Sequence, residues 1–391
     1  MRFLFLTTEF PPSRGGIQTF SHELPRALAE KGHQVAVAVL EAGGAAACDS
    51  PFPFPVVRRA QLLGRLGAIR ALQRGCLAAA GELTGPPDWL VAMKWFPEGP
   101  AALLARRRLR CPLALVAHGH EFLLSTTPAF RRLLKRAVLR RTAVVLTNSR
   151  YTADIVLAAG MPPERVATIY CGVRPERYQV QQQQVSALRR HLGLEGKRVL
   201  LTAGRLVPRK GQDLVIQALP QVLSRVPEAH YLIVGSGEEE DRLRALASQC
   251  GVEGAVTIRT DIGDAEMPLL FHLCELFVMP SREIPGMLIE GFGIVYLEAA
   301  ACGKPCIAGR SGGAPEAVEE EVTGLVVDPA DRDELAAAVL SLLNDSETAL
   351  RMGEAGRQRV LGHFTWSHVA DRFLAALASH TPRTRRGWCS R

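Results

Sequence analysis

The chain has 391 residues, of which 47% are hydrophobic and 22% charged, a composition that favours a large soluble protein with two domains. It excludes an intrinsically disordered chain, a fibrous repeat and a disulfide-stabilised miniprotein. The formal net charge is +8, with 23 basic and 11 acidic residues in 1–174 against 24 and 28 in 175–391. This positive excess in the first part predicts an anionic partner, either a nucleic acid or an anionic membrane surface.

The nine cysteines form no CxxC pair and lie mostly in apolar runs, so we expect reduced thiols in the core. Cys302 and Cys306 are spaced like a metal pair, but no other cysteine or histidine lies near them in the sequence. The apolar opening is too short for a signal peptide. Because no window approaches about 18 uninterrupted apolar residues, we expect a cytoplasmic protein without a membrane span.

Short apolar runs alternate with helical patterns, which indicates parallel strands joined by helices. This α/β pattern predicts two doubly wound sheets, one in a domain over 1–174 and one in a domain over 185–364. A glutamine-rich segment at 178–184 is either the end of a linker or the start of a helix. The predicted strands are residues 3–7, 34–40, 89–93, 113–118, 143–147 and 166–169, then 199–203, 231–234, 256–258, 276–279, 305–308 and 324–327.

Ligands of open parallel sheets bind beyond the carboxyl ends of the strands, so loops that lead into helices are the informative places. Gly15 and Gly16 precede a helix predicted over 17–31 and would let a phosphate approach free backbone N–H groups. Arg205 and Lys210 lie five residues apart across a Val-Pro turn, so both can converge on one anion. The alternatives are a flexible loop at Gly15-Gly16 and a solvated basic turn at the Arg205 to Lys210 segment.

Two carboxylates flank a glycine-interrupted apolar segment in the second half. Glu290 should lie just before a helix that begins near Gly293, and Glu298 should lie within that helix. The alternative is a structural role, with Glu290 stabilised by the helix dipole and Glu298 buried or paired within the helix. In an otherwise apolar helix, however, Glu298 would need a hydrogen-bonding partner. A diphosphate can be received by the free N–H groups of Gly293, Ile294 and Val295.

Two further features need an interpretation. His118 ends an apolar strand, where it could meet a substrate or serve a structural role. Asp331-Arg332-Asp333 matches a DxD pattern but lies at a predicted helix start, which favours helix capping over metal binding.

Taken together and in this order, the Gly15-Gly16 loop, His118, the Arg205 to Lys210 segment and the Glu290-x7-Glu298 pattern resemble glycosyltransferase family 4. The string Met279-Pro280-Ser281-Arg282 is also similar to the second domain of that family. The resemblance covers nearly the whole chain. It implies a retaining, nucleotide-sugar-dependent enzyme with the GT-B fold of two facing Rossmann-like domains, and a final helix at 365–380 that crosses back onto the first domain.

Within the family, the chain looks most like the bacterial phosphatidylinositol mannosyltransferases, which use GDP-mannose at the cytoplasmic face of the membrane. The loop 284–289 departs from their pattern, which leaves the donor open. A UDP-sugar-dependent transferase and a non-catalytic sugar-nucleotide or membrane protein of this fold are the alternatives. A lipid-linked intermediate, phosphatidylinositol and a growing polysaccharide all remain possible acceptors, and the sequence does not indicate the oligomeric state. The strings that carry this likeness include Phe10-Pro11-Pro12, Gly15-Gly16-Ile17-Gln18 and His118-Gly119-His120-Glu121.

The resemblance also implies residue roles. Arg205 and Lys210 would hold the diphosphate, helped by the backbone at Gly16 and at 293–295. Glu290 would contact the sugar hydroxyls, Glu298 the ribose, His118 the far end of the sugar, and the loop containing Asp261 the base.

We expect the mechanism to rest on electrostatic stabilisation of the leaving diphosphate. Glu290 and Glu298 would stand about 12 Å apart along a helix, too far for the pair of carboxylates, about 5 to 10 Å apart, that a glycosidase uses. The expected reaction is therefore a front-face, retaining transfer that needs no metal cofactor.

Residues 130–141 carry six cations and no anion, and their apolar positions follow a helical period. Such a helix can lie on anionic lipid, which predicts membrane contacts for Arg131, Arg132, Lys135 and Arg136. The alternative is a helix whose apolar face packs on the sheet. Aromatic residues are only 6% of the chain and no nucleic-acid reader motif occurs, so no nucleic-acid partner is expected.

Overall fold

The computed structural model describes residues 1–41, 52–60, 64–119, 122, 129–284 and 289–380. The chain divides into two compact units, which we call unit 1 and unit 2. Unit 1 comprises Met1–Cys171 with Trp366–Arg391, and unit 2 comprises Gly172–Thr365.

Unit 1 is built on a seven-stranded sheet in the order β3-β2-β1-β4-β5-β6-β7. All neighbouring strands pair in parallel. The interior strand β1 has four fully buried apolar side chains, as expected for a strand covered on both faces. The strands are β1 (Arg2–Thr7), β2 (Gln34–Glu41), β3 (Val56–Ala60), β4 (Trp89–Ala92), β5 (Leu113–Ala117), β6 (Val144–Thr147) and β7 (Val166–Thr168).

Helices flank this sheet, and the chain's final helix is one of them. Phe373 of that helix packs on Phe3 and Phe5 of β1, with ring centroids 5.5 and 6.1 Å apart. Asp371 forms an ion pair of 2.8 Å with Lys31 at the end of the first helix. The helices are α1 (Gly16–Glu30), α2 (Gly64–Ala80), α3 (Glu98–Leu109), α4 (Ala129–Arg141), α5 (Arg150–Ala158) and, after unit 2, α14 (Trp366–Ser379).

Unit 2 contains a six-stranded parallel sheet in the order β10-β9-β8-β11-β12-β13. Its strands are β8 (Arg198–Ala203), β9 (Ala229–Val234), β10 (Val256–Arg259), β11 (Leu276–Met279), β12 (Cys306–Gly309) and β13 (Gly324–Val327). Its helices are α6 (Gln182–His191), α7 (Gln212–Leu223), α8 (Glu240–Gln249), α9 (Met267–Leu273), α10 (Ile294–Ala301), α11 (Ala314–Ala317), α12 (Arg332–Asn344) and α13 (Ser346–His363).

The predicted strands are confirmed to within one or two residues at their ends, with one strand missed. That strand, β3, lies at the edge of the sheet, where Arg59 is exposed and three prolines precede it. The glutamine-rich segment proves to be a helix start: α6 begins at Gln182, with a capping box formed by Gln181 and Gln184. Its composition alone did not distinguish a cap from a linker.

The cysteines of the described residues are all free, and every one except the half-buried Cys250 is buried. Cys48 and Cys389 lie outside the described residues. Within the described part of the chain, no helix is both long enough and apolar enough to cross a bilayer.

Candidate active site

The candidate site of unit 2 lies where β8 and β11 run side by side. The strand order reverses direction at this pair, since β9 and β10 follow on one side and β12 and β13 on the other. Such a reversal opens a crevice at the carboxyl ends of the strands. The loops that enter it here are the segment after β8, which contains a short 3-10 helix (Pro208–Lys210), and the segment that leads into α10.

Three charged side chains meet at this edge of the sheet, and we call them the charge triad: Arg209, Lys210 and Glu290. Lys210 Nζ donates to Glu290 Oε2 at 2.6 Å, and Arg209 Nη1 donates to the same oxygen at 2.9 Å. All three side chains are at least 87% buried. Glu290 Oε1 has no hydrogen-bond partner among the described residues.

The two cations of the charge triad keep the Glu290 carboxylate ionised. Burial by itself disfavours the carboxylate, but Lys210 and Arg209 outweigh it and hold the pKa of Glu290 at about 2. Burial lowers the pKa of Lys210, and Glu290 opposes that shift. Arg205 is exposed and acts on Lys210 as a further nearby charge. The predicted pair of cations, Arg205 and Lys210, is therefore joined by Arg209.

The loop carrying the cations is fixed by its backbone. Gly211 ends the 3-10 helix at φ 75°, and a Cβ there would lie 2.2 Å from the carbonyl oxygen of Pro280. Arg282 N–H donates to the Arg209 carbonyl at 2.9 Å. The Arg282 side chain in turn donates to Asp213 at 2.7 Å. The positions of both buried cations are thus set by contacts between the β8 and β11 loops.

The segment with the second carboxylate forms a helix as predicted. Gly293 precedes α10 at φ 89°, where a Cβ would lie 2.6 Å from the Tyr296 ring. Because α10 begins at Ile294, the N–H groups of Gly293, Ile294 and Val295 lie at its start, where helices leave such donors without an intrahelical partner. The N-terminus of α10 therefore follows closely on Glu290 of the triad.

The predicted partner of Glu298 is Tyr178, whose hydroxyl donates to Glu298 Oε1 at 2.8 Å. Burial raises the pKa of Glu298, and the hydrogen bond from Tyr178 opposes that rise. Burial, reinforced by Glu298, also raises the pKa of Tyr178, so the phenol stays a neutral donor. Glu298 is half-buried rather than enclosed.

Two predicted acidic features have partners close by in the sequence. Asp261 is exposed and forms a bidentate ion pair with Arg259, which lowers the pKa of Asp261 to about 2. Asp331 caps α12, since its Oδ1 accepts from the backbone N–H groups of Asp333 and Glu334. The capping interpretation of the DxD pattern is thus confirmed.

In unit 1, the predicted residues lie at the carboxyl edge of its own sheet. His118 directly follows β5 and is 5% exposed; its Nε2 lies 3.0 Å from the Met93 carbonyl, and Phe20 packs on its ring. Gly15 caps α1 at φ 148°, and Gly16 begins that helix. His118, Gly15 and Gly16 therefore belong to a different unit from the charge triad.

The basic helix α4 divides its cations between two environments. Arg131 lies over the Phe96 ring at 4.8 Å, and Lys135 lies over Phe122 at 5.5 Å, so both pack against their own unit. Arg132 and Arg136 are exposed. Leu133 is 64% exposed, whereas the next turn buries Val138 and Leu139 in the core.

Sequence reasoning missed two residues of the site. Arg209 adjoins Lys210, but the five-residue spacing predicted a pair formed by Arg205 and Lys210. Only the 3-10 turn shows which of these cations point inward. Tyr178 lies 120 residues before Glu298. The one signal for it was that a buried glutamate needs a donor. His120, the loop residues 285–288 and the C-terminal arginines (Arg383, Arg385, Arg386 and Arg391) lie outside the described residues.

Two family models match the chain. The model for glycosyl transferases group 1 matches residues 185–359, and the model for glycosyltransferase family 4 matches residues 14–177. The first covers the charge triad and Glu298, and the second covers the Gly15-Gly16 loop and His118.

Curated relatives match over nearly the full chain. A GDP-mannose-dependent alpha-(1-6)-phosphatidylinositol monomannoside mannosyltransferase of Mycobacterium tuberculosis is 37% identical over 378 residues, which cover 94% of this chain and 96% of that protein. A GDP-mannose-dependent monoacylated alpha-(1-6)-phosphatidylinositol monomannoside mannosyltransferase of Corynebacterium glutamicum is 34% identical and covers 96% and 97%.

Among solved structures, HepE of Anabaena in complex with UDP and glucose superposes with a TM-score of 0.79. The alignment covers 97% of this chain and 100% of that chain, at 23% identity. At this identity the likeness shows the fold, and it confirms the predicted GT-B class.

Proposed function

This chain belongs to glycosyltransferase family 4, and we propose that it transfers mannose from GDP-mannose to a lipid-linked acceptor with retention of anomeric configuration. The donor assignment is supported by the curated relatives, whose names specify GDP-mannose and which match at 34–37% identity over most of the chain. The structural observation that carries the proposal is the charge triad beside the start of α10.

Breaking the bond between mannose and GDP places negative charge on the leaving diphosphate. We assign Lys210, Arg209, Arg205 and the N–H groups at the start of α10 to that charge, because fixed donors in a buried site need no reorganisation when the charge develops. Glu290 Oε1 would accept hydrogen bonds from the sugar hydroxyls, while Oε2 stays paired with the two cations. His118, Gly15 and Gly16 keep their predicted roles toward the sugar and phosphate, and Asp261 its role toward the base, as predictions.

The carboxylates are better suited to binding than to covalent chemistry. A carboxylate held by two cations is a weak nucleophile and a poor base, and Glu298 is committed to Tyr178 through one oxygen. We therefore propose that the leaving phosphate itself accepts the proton of the acceptor hydroxyl on the same face of the sugar. Transfer should be independent of metal ions, with the cations neutralising the diphosphate.

The donor assignment is tested by a thermal-shift series with GDP, UDP and ADP in chelator, followed by transfer of labelled mannose from GDP-mannose to an extracted membrane lipid fraction. A ligand at 100 times its Kd should stabilise the protein by about 2.7 kcal/mol. We expect selective stabilisation by GDP and label in the lipid fraction. Selective stabilisation by UDP would reject mannose from GDP-mannose, and no response to any nucleotide would reject the enzyme assignment.

We further propose that α4 brings the enzyme to the cytoplasmic face of an anionic membrane, where a lipid-linked acceptor lies. Arg132, Arg136 and Arg140 are exposed around the exposed Leu133, a pattern suited to lipid headgroups with one apolar anchor. Near such a surface each basic residue contributes about 1 kcal/mol. Arg131 and Lys135 would contribute less, because they pack on aromatic rings of unit 1.

The test is cosedimentation with vesicles that contain either a third of anionic lipid or none. Leu133→Asp should lower binding to the anionic vesicles severalfold. Leu350→Asp is the matched control, because Leu350 is a similarly exposed leucine, 71% against 64%, on a helix of unit 2. Equal loss in both variants, or binding that ignores lipid charge, would reject α4 as the membrane contact.

A further inference from the structure

Tyr178 makes a specific contact with the second carboxylate of the site, although it belongs to none of the motifs. It closes a short 3-10 helix (Pro175–Tyr178) near the start of unit 2. Its side chain is 7% exposed, and its hydroxyl lies 2.8 Å from Glu298 Oε1. A buried phenol with a single proton can donate only one hydrogen bond, and here it goes to Glu298.

The tyrosine is itself held from a second direction by α9. Its ring packs edge-on against Phe271, with centroids 6.0 Å apart, and its carbonyl lies 2.7 Å from His272 Nε2. Backbone and ring are therefore both fixed before the hydroxyl reaches the carboxylate. A donor fixed in this way orients a carboxylate more tightly than a surface hydrogen bond would.

The hydrogen bond uses one oxygen of Glu298 and leaves the other available. Glu298 is half-buried, and its Oε2 has no hydrogen-bond partner among the described residues. A carboxylate oxygen of fixed direction is an acceptor for hydroxyl groups, and the vicinal hydroxyls of a ribose are the pair that a nucleotide offers beside its diphosphate. Glu298 lies on α10, and the start of this helix follows Glu290 of the charge triad by four residues, so both carboxylates belong to the segment that enters the crevice.

We propose that Tyr178 is a positioning residue that orients Glu298 toward the ribose of the donor nucleotide, and that it thereby makes the site selective for ribonucleotides over deoxyribonucleotides. The inference rests on the proposed function, because it requires a nucleotide beside the charge triad. It does not depend on which base the nucleotide carries.

The test variant is Tyr178→Phe, which removes the hydroxyl and keeps the ring on Phe271. Tyr231→Phe is the matched control, because Tyr231 is also buried in unit 2 and its hydroxyl bonds to Thr202 at 2.7 Å, away from Glu298. Calorimetry on the full chain compares the ribonucleoside diphosphate that binds most tightly with its 2′,3′-dideoxy analogue. Binding by Tyr178→Phe is also followed from pH 5 to pH 8.

We expect the parent protein to prefer the ribonucleotide by about tenfold or more, as for hydrogen bonds to a charged group. In Tyr178→Phe that preference should shrink about tenfold, with little change for the dideoxy analogue. Because Tyr178 opposes the rise in the pKa of Glu298, loss of ribonucleotide binding on acidification should begin at higher pH in this variant. Tyr231→Phe should keep the parent preference and pH profile.

Equal weakening of both nucleotides in Tyr178→Phe, or an unchanged preference, would show a purely structural role and overturn the inference while leaving the proposed function intact. Absence of binding by the parent protein to GDP, UDP and ADP would instead overturn the proposed function, and this inference with it.

Discussion

Replacing Glu290 by glutamine tests the charge triad most directly, because it removes one charge with little change in shape. Two buried cations, Lys210 and Arg209, then face each other without their carboxylate. The pKa of Glu290 is about 2 instead of the usual 4.5. At about 1.4 kcal/mol per pKa unit, the carboxylate contributes about 3 kcal/mol to the stability of the folded state at neutral pH. Breaking a buried ion pair by removing one partner costs a similar amount, about 3 to 5 kcal/mol.

A loss of about 3 kcal/mol in a unit of this size should lower the Tm by about 6 to 12 °C. The unpaired cations should at the same time bind an added anion more strongly, so GDP should raise the Tm of Glu290→Gln by more than it raises that of the parent. Transfer of mannose should fall at least about a hundredfold, since a group that orients the reacting sugar is lost.

The assay is differential scanning fluorimetry with and without GDP, followed by the labelled-mannose transfer assay. Glu354→Gln serves as the control, because Glu354 is an exposed glutamate of unit 2 whose replacement should change neither quantity. An unchanged Tm together with parental transfer by Glu290→Gln would refute both the electrostatic argument and the role assigned to Glu290.

Three further outcomes follow from the structure. Because the pKa of Glu290 is lowered, its contribution to the free energy of unfolding is fully present above about pH 4.5 and is lost as the pH falls toward 2. The free energy of unfolding of the parent should therefore fall more steeply across this range than that of Glu290→Gln. Urea titrations at each pH measure this difference. Gly211→Ala should cost at least about 2 kcal/mol, because it places a Cβ against the Pro280 carbonyl at positive φ, whereas Gly254→Ala, in open space, should be nearly neutral in the same unfolding assay. Asp331→Ala should lose about 1 kcal/mol of stability through its helix cap yet keep full transfer in chelator; loss of activity that manganese restores would show that the aspartate binds metal.

The sheets could be predicted from the sequence because strands buried on both faces leave uninterrupted apolar runs. β5 (Leu113–Ala117) is an example, with all five side chains fully buried. The edge strand β3 escaped this pattern because its exposed Arg59 and the prolines before it are typical of a loop. The start of helix α6 was ambiguous because glutamine occurs in helix caps, in helices and in linkers, so the composition of the segment does not distinguish them.

The candidate site was predictable in its motifs and not in its contacts. The need of Glu298 for a donor follows from its apolar helix, but the identity of that donor depends on how the chain around Tyr178 packs on α9. Likewise, a turn of basic residues does not reveal which cations are buried. The 3-10 geometry of Pro208–Lys210 decides that Arg209 joins Lys210 while Arg205 remains exposed.

The internal ion pairs of the charge triad affect how the site discriminates between its ligand and other anions in the cell. Inorganic phosphate, chloride and free nucleotides surround any protein in a cell, and a bare pair of buried cations would attract all of them. With Glu290 in place the three side chains sum to a single positive charge, so a simple anion gains little by entering. A ligand must offer more than charge, namely a sugar and a nucleoside in the right places. The carboxylate therefore favours ligands that supply these further contacts over simple anions.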